Sequence, residues 1–121
     1  MPKRLLIVED AIDIQYLLRR LFETEGYDVQ TASNGQEALD MLEKSDTLPN
    51  LILLDLMMPV MDGFQFREAQ CKRPDWSKIP TIVMTADGDV QTRRSSVDAV
   101  GFLRKPVDID VLLTTVQQNC T

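Results

Sequence analysis

The chain has 121 residues, 44% of them hydrophobic and 26% charged, with a formal net charge of −6. That balance describes one globular domain around a single core and argues against this domain itself gripping nucleic acid, which needs a basic face. The absence of histidine removes most zinc sites, Ser/His and Cys/His nucleophile pairs, and any phosphohistidine formed on the chain itself.

Cys71 and Cys120 lack metal-ligand spacing and read as free thiols of a reducing compartment. Leu5 to Val8 is too short for a signal-peptide core, and the apolar stretch from Leu48 to Met61 is interrupted by Pro49, Asp55 and Pro59. Neither suits export or a membrane span, so a cytoplasmic location is expected.

In chain order, Leu5 to Val8 predicts a buried strand. Ile14, Leu17, Leu18, Leu21 and Phe22 follow at helical spacing, closed by Gly26. Tyr27 to Thr31 predicts a short strand, and Ser33 or Asn34 a cap for a helix carrying Ala38, Leu39 and Leu42. Leu51 to Leu54 is a second apolar strand, running into Asp55. After a turn at Asp62-Gly63, a helix is expected over Phe64 to Lys72, then a loop between Pro74 and Pro80 in which Trp76 anchors packing. Ile79 to Met84 predicts a strand, Asp87 to Val97 a weakly periodic helix, and Val100 to Leu103 a last strand. Asp108 to Gln118 predicts a final helix with Ile109, Leu112, Leu113 and Val116 inward and Asp108 favouring its dipole.

Five β-α units with strands apolar on both faces imply an α/β fold: a doubly wound (βα)5 three-layer sandwich with a parallel sheet and right-handed connections. The expected organisation is one domain over residues 1–121 with no output domain in this chain. Met1-Pro2-Lys3-Arg4 resembles a natural start, which suits a stand-alone protein; the alternative is one part of a longer parent that carries donor or target.

In such a sheet the residues just after the strands converge on one edge. They are Glu9 and Asp10, Asp55, Thr85, and Lys105. Three carboxylates at close range require cations, and hard oxygen donors suit Mg²⁺ (or Mn²⁺). A carboxylate beside that ion and a lysine is set up to attack a phosphoryl group, with Thr85 donating to one of its oxygens. Taken singly, each residue has a plainer reading: Glu9-Asp10 as a helix cap, Asp55 as a buried acid satisfied by backbone amides, Thr85 as a strand end, Lys105 as a solvated cation. Their convergence favours the functional reading.

The whole chain resembles the receiver domain of bacterial response regulators. The matching motifs are Val8-Glu9-Asp10, Asp55-Leu56-Met57-Met58-Pro59-Val60-Met61-Asp62-Gly63, Met84-Thr85-Ala86 and Phe102-Leu103-Arg104-Lys105-Pro106. The resemblance implies a flavodoxin-like strand order 2-1-3-4-5 and a Mg²⁺-dependent switch. Asp55 would be the phosphoacceptor. Asp10 would bind the metal directly, Glu9 through water, and the backbone carbonyl of Met57 would complete the protein ligands. Thr85 and Lys105 would hold the phosphoryl oxygens. Phe102 would be the switch aromatic coupled to Thr85, its plainer reading being a permanently buried ring. The Lys105–Pro106 bond would be cis.

The implied partners are a sensor histidine kinase or histidine phosphotransfer protein and an unspecified downstream protein, with phosphorylation-dependent homodimerisation as an option and no direct contact with nucleic acid or membrane. Beyond self-catalysed phosphorylation and dephosphorylation, no enzymatic turnover is expected. A phosphorylation-independent interaction module is the alternative. A Mg²⁺-dependent phosphohydrolase ranks low, because Met57 stands where such enzymes place a second acid.

The sequence departs from the family between Thr85 and Phe102, which is shorter than usual and carries Asp98-Ala99-Val100 ahead of the last strand. That shortening predicts a short or irregular fourth helix. Asp87 stands where the family tunes phosphoryl lifetime, and Gly88 beside it marks a turn or a mobile point. Ile12 falls off the apolar stripe of the first helix, either as a contact for a phosphodonor protein or as local packing.

Overall fold

The computed structural model describes residues 3–56, 60–85, 99–105 and 107–120. Five strands, β1 (Arg4–Val8), β2 (Asp28–Ala32), β3 (Leu51–Asp55), β4 (Thr81–Thr85) and β5 (Gly101–Arg104), form one sheet in the order 2-1-3-4-5. All four pairings are parallel. The helices are α1 (Ile12–Thr24), α2 (Gly35–Lys44), α3 (Gly63–Cys71), a single turn α4 (Pro74–Ser77), and α5 (Ile109–Asn119). The expected helix at residues 87–97 and the Lys105–Pro106 bond fall at or beyond the limits of the described residues.

Burial explains why the inner strands read as unbroken apolar runs. Alternate side chains of a strand face opposite ways. Leu5, Ile7, Leu51 and Leu53 therefore join Leu18, Phe22, Leu112 and Val116 under α1 and α5. Leu6, Val8, Ile52 and Leu54 join Ala38, Leu42 and Phe66 under α2 and α3. A sheet covered on both faces is the three-layer α/β arrangement expected for parallel strands.

Local chemistry fixes the element ends. Gly26 adopts a φ of 94°. Its N–H bonds Glu23 O, the Tyr27 N–H bonds Phe22 O, and the Phe22 and Tyr27 rings meet edge to face at 5.5 Å. This pattern is a Schellman motif with its apolar contact. Asn34, rather than Ser33, caps α2 through the Glu37 N–H at 2.8 Å. Asp62 and Gln65 form a reciprocal capping box on α3, and Asp108 caps α5 through the Val111 N–H.

Three expectations needed adjustment. The loop between Pro74 and Pro80 contains the helical turn α4, which buries Trp76 as expected and stacks Arg73 over its ring at 4.1 Å. In α1 only Leu18 and Phe22 are buried, while Ile14 and Leu17 are exposed. In α5, Ile109 is half exposed rather than inward. The apolar stripes of these helices are wider than the surface the sheet covers.

Candidate functional site

The carboxyl ends of β1, β3, β4 and β5 deliver the expected residues to one rim. Glu9 follows β1 and is wholly buried, Asp10 beside it is exposed, and Asp55 ends β3 at 3% exposure. One carboxylate oxygen from each of the three lies within 4.8 Å of the others. Lys105 follows β5, and its side chain reaches across β4 toward the strands beyond. Its Nζ donates to Glu9 Oε1 at 2.7 Å and to Asp55 Oδ2 at 3.3 Å.

The electrostatics follow from this crowding. Burial acts to lower the Lys105 pKa, but the hydrogen bond to Glu9 and the charges of Asp55 and Glu9 outweigh it, and the pKa stands above the ordinary lysine value. Among the described residues, three carboxylates against this one ammonium leave an excess of two negative charges. The donor set is all hard oxygen, so it fits a small divalent cation.

Glu9 is held on both sides. Its N–H bonds Ala32 O at 3.0 Å, and its Oε2 accepts the Ala11 N–H at 3.3 Å. The Gln15 amide donates to Glu9 O at 2.9 Å and Ala32 O at 3.2 Å, tying the loop after β1 to the end of β2. Sequence reasoning missed Gln15. Its only signal is a polar residue on the inward side of the first turn of α1.

Thr85 is buried at the end of β4, and the Lys105 N–H bonds its carbonyl at 2.8 Å. Phe102 pairs in register with Val83, and Thr85 with Arg104. Phe102 and Thr85 therefore share one face of the sheet, where Phe102 packs partly buried against Leu56 and Val83. Met57 and Asp87, with Gly88, lie outside the described residues. Ile12 is exposed at 73%.

Beside this rim, Ile14, Leu17, Met84, Val107 and Ile109 line an apolar groove of about 520 Å³ that Lys105 also borders. Among the described residues, no helix is long and apolar enough to cross a membrane.

Comparison with known proteins agrees with this geometry. The response regulator receiver domain profile matches residues 5–117. The chain is 37% identical over 120 residues to sporulation initiation phosphotransferase F of Bacillus subtilis, covering 98% of this chain and 94% of that protein. The chemotaxis response regulator CheY4 of Vibrio cholerae superposes with a TM-score of 0.88 at 31% identity, covering 98% of each chain. The receiver domain of a signal transduction histidine kinase from Syntrophus aciditrophicus superposes at 0.89 with 32% identity, covering 98% of this chain and 89% of that one. The chain belongs to the response regulator receiver domains of two-component signalling.

Proposed function

We propose that this domain is a phosphorylation switch in which Asp55 accepts a phosphoryl group from the phosphohistidine of a partner protein. The observation that carries the reading is Lys105 Nζ bridging Glu9 and Asp55 at 2.7 and 3.3 Å on a rim that Asp10 also shares. Two buried carboxylates drawn around one ammonium suit a site that receives a doubly charged phosphoryl group better than they suit a stable core.

In the transfer, an Asp55 carboxylate oxygen attacks phosphorus in line with the bond to the donor imidazole. The P–N bond breaks, its electron pair returns to the ring nitrogen, and that nitrogen takes a proton. Lys105 holds one phosphoryl oxygen and Thr85 donates to another. Glu9 through water, Asp10, Asp55 and the Met57 carbonyl would hold Mg²⁺ or Mn²⁺, which when bound neutralises charge on the transferring oxygens. Hydrolysis reverses the state: water attacks phosphorus, the P–O bond to Asp55 breaks, and inorganic phosphate leaves. The domain turns over only its own phosphoryl group.

Thr85 and Phe102 are the proposed output pair. Movement of the Thr85 hydroxyl toward the phosphoryl group vacates space into which the half-buried Phe102 ring turns. Their common sheet face supports this coupling. The apolar groove beside Lys105 suits a helix of the phosphodonor protein, with Ile14 and Leu17 as its apolar contacts.

The test is incubation with acetyl phosphate and Mg²⁺ followed by intact mass measurement. The expected result is one added phosphoryl group, absent in Asp55→Asn. A wild-type protein that takes no adduct from any small-molecule donor would instead favour the phosphorylation-independent module.

A further inference from the structure

Between β3 and α3, Leu56 and Met61 rest against glycines that play no part in the chemistry above. Gly63 opens α3 directly against the end of β3. A Cβ at Gly63 would lie 2.7 Å from Leu56 Cα and 2.8 Å from the carbonyl oxygen of Asp55. Gly35 opens α2 against the other side of the loop, where a Cβ would lie 2.7 Å from Met61 Cγ and 2.9 Å from Met61 O. Backbone hydrogen bonds lock both approaches: Gly63 N–H to Leu56 O and Gly35 N–H to Met61 O, each at 3.0 Å. Neither glycine is required by a positive φ. Both serve close backbone approach, the other use of a residue without a side chain.

Between these two contacts lies the one non-glycine residue with a positive φ among those described. Val60 has a φ of 69° and is 81% exposed. A β-branched residue is strained there, and an exposed side chain gains too little burial to offset the strain. The surrounding contacts must therefore impose the conformation.

We propose that Gly35 and Gly63 are positioning residues that clamp the loop after β3 and hold Asp55 in register with Glu9 and Lys105, against the strain at Val60. The inference rests on Asp55 being the phosphoacceptor. It adds that the reactivity of Asp55 depends on the two glycine contacts although neither touches the phosphoryl group. Within the clamp, the two close approaches hold Leu56 and Met61 on either side of the strained backbone at Val60.

The test compares wild type with Gly35→Ala, Gly63→Ala, Val60→Gly and the double variant Gly35→Ala/Val60→Gly. Two measurements are made: the rate of adduct formation with acetyl phosphate and Mg²⁺, and amide hydrogen exchange. Each single alanine variant is expected to slow adduct formation by about tenfold, the effect of a small displacement of a reacting group. The amides of residues 35 and 63 should exchange faster while those of Ile52 and Leu53 stay protected. Val60→Gly alone should leave the rate within about twofold of wild type, yet recover most of the rate lost in Gly35→Ala by removing the strain. A purely structural glycine would give no such rescue.

Unchanged rates in both alanine variants, or faster exchange throughout β3, would overturn the clamp. A wild-type protein that itself takes no phosphoryl group marks failure of the Asp55 reading before any variant is compared. The clamp is then decided by exchange alone: loosening confined to the loop and relieved by Val60→Gly upholds it, and any other pattern overturns it.

Discussion

Lys105 lies between two buried carboxylates, and its ionisation should register in stability. Its pKa is raised on folding, with burial opposing the shift and Glu9 and Asp55 driving it. A group raised on folding contributes fully below its unfolded pKa, about 10.4 for lysine, and the contribution fades only as pH climbs through the folded value. Lys105→Met is therefore expected to destabilise the metal-free fold by about 1–2 kcal/mol, reduced from a fully buried pair by the partial exposure of the lysine. That difference should stay level from about pH 6 to about pH 9 in urea titrations. A difference that vanished by about pH 8 would contradict the pairing. The thiols offer an independent check. Cys71 is exposed, whereas Cys120 is buried with its pKa raised by desolvation against a smaller opposing pull from Lys3. Ellman's reagent should titrate one thiol in the native protein and the second only on unfolding; equal rates would contradict the packing of Cys120. The convergence of Glu9, Asp10, Asp55 and Lys105 on one rim was legible in the sequence because each follows an apolar strand of a parallel sheet. Gln15 and Gly35 were not legible as neighbours of the site. Their roles depend on which loops the fold brings together, and no local pattern records that.

At the scale of elements, strand existence was readable because β1, β3 and β4 are buried on both faces and so carry unbroken apolar runs. Strand ends slipped by one or two residues, since a buried run does not announce where its last ladder bond falls. Helix ends were read best where one residue type makes them, the glycine backbone at Gly26 and the capping carboxylate at Asp108. Asn34→Ala should accordingly cost about 1 kcal/mol in equilibrium unfolding by removing the bond to the Glu37 N–H, while Ser33→Ala, at the other candidate cap, should cost less. The stripe of α1 is only partly buried, for a physical reason. Periodicity shows which face is apolar but not whether the rest of the domain covers it. Ile14 and Leu17 fall on the uncovered part and border the groove beside Lys105. Leu17→Glu is expected to slow phosphotransfer from a phosphorylated histidine kinase or phosphotransfer domain by tenfold or more, because loss of a buried anchor at a hot spot costs ~2 kcal/mol or more. The same variant should react with acetyl phosphate at the wild-type rate. Equal loss with both donors would show that the change reached Asp55 itself and would remove the groove from the docking reading.

Across the whole molecule, the functional rim opposes the stability of the fold that presents it. The core is apolar on both sheet faces and α2, α3 and α5 carry side-chain N-caps, yet the sheet terminates in three converging carboxylates with one lysine among the described residues to offset them. A protein carrying a net charge of −6 adds further repulsion at this edge. Two opposite effects on thermal unfolding follow. Asp10→Asn removes one charge from the cluster without opening a cavity, so it should raise the melting temperature of the metal-free protein by a few degrees. Adding Mg²⁺ should raise that of the wild type, because a ligand bound only by the folded state stabilises it by about 2.7 kcal/mol at a hundredfold excess over Kd. For a domain of this size that corresponds to a rise on the order of 10 °C. The two effects should not add: Asp10→Asn should lose most of the Mg²⁺ response, because the side chain whose charge loads the rim is also a proposed metal ligand. Thermal scans of both proteins with and without Mg²⁺ in excess of chelator form a complete cycle. A full Mg²⁺ response in Asp10→Asn would detach the ion from this rim. A lower melting temperature for metal-free Asp10→Asn would mean that the cluster is held together by its own hydrogen bonds rather than strained by its charge.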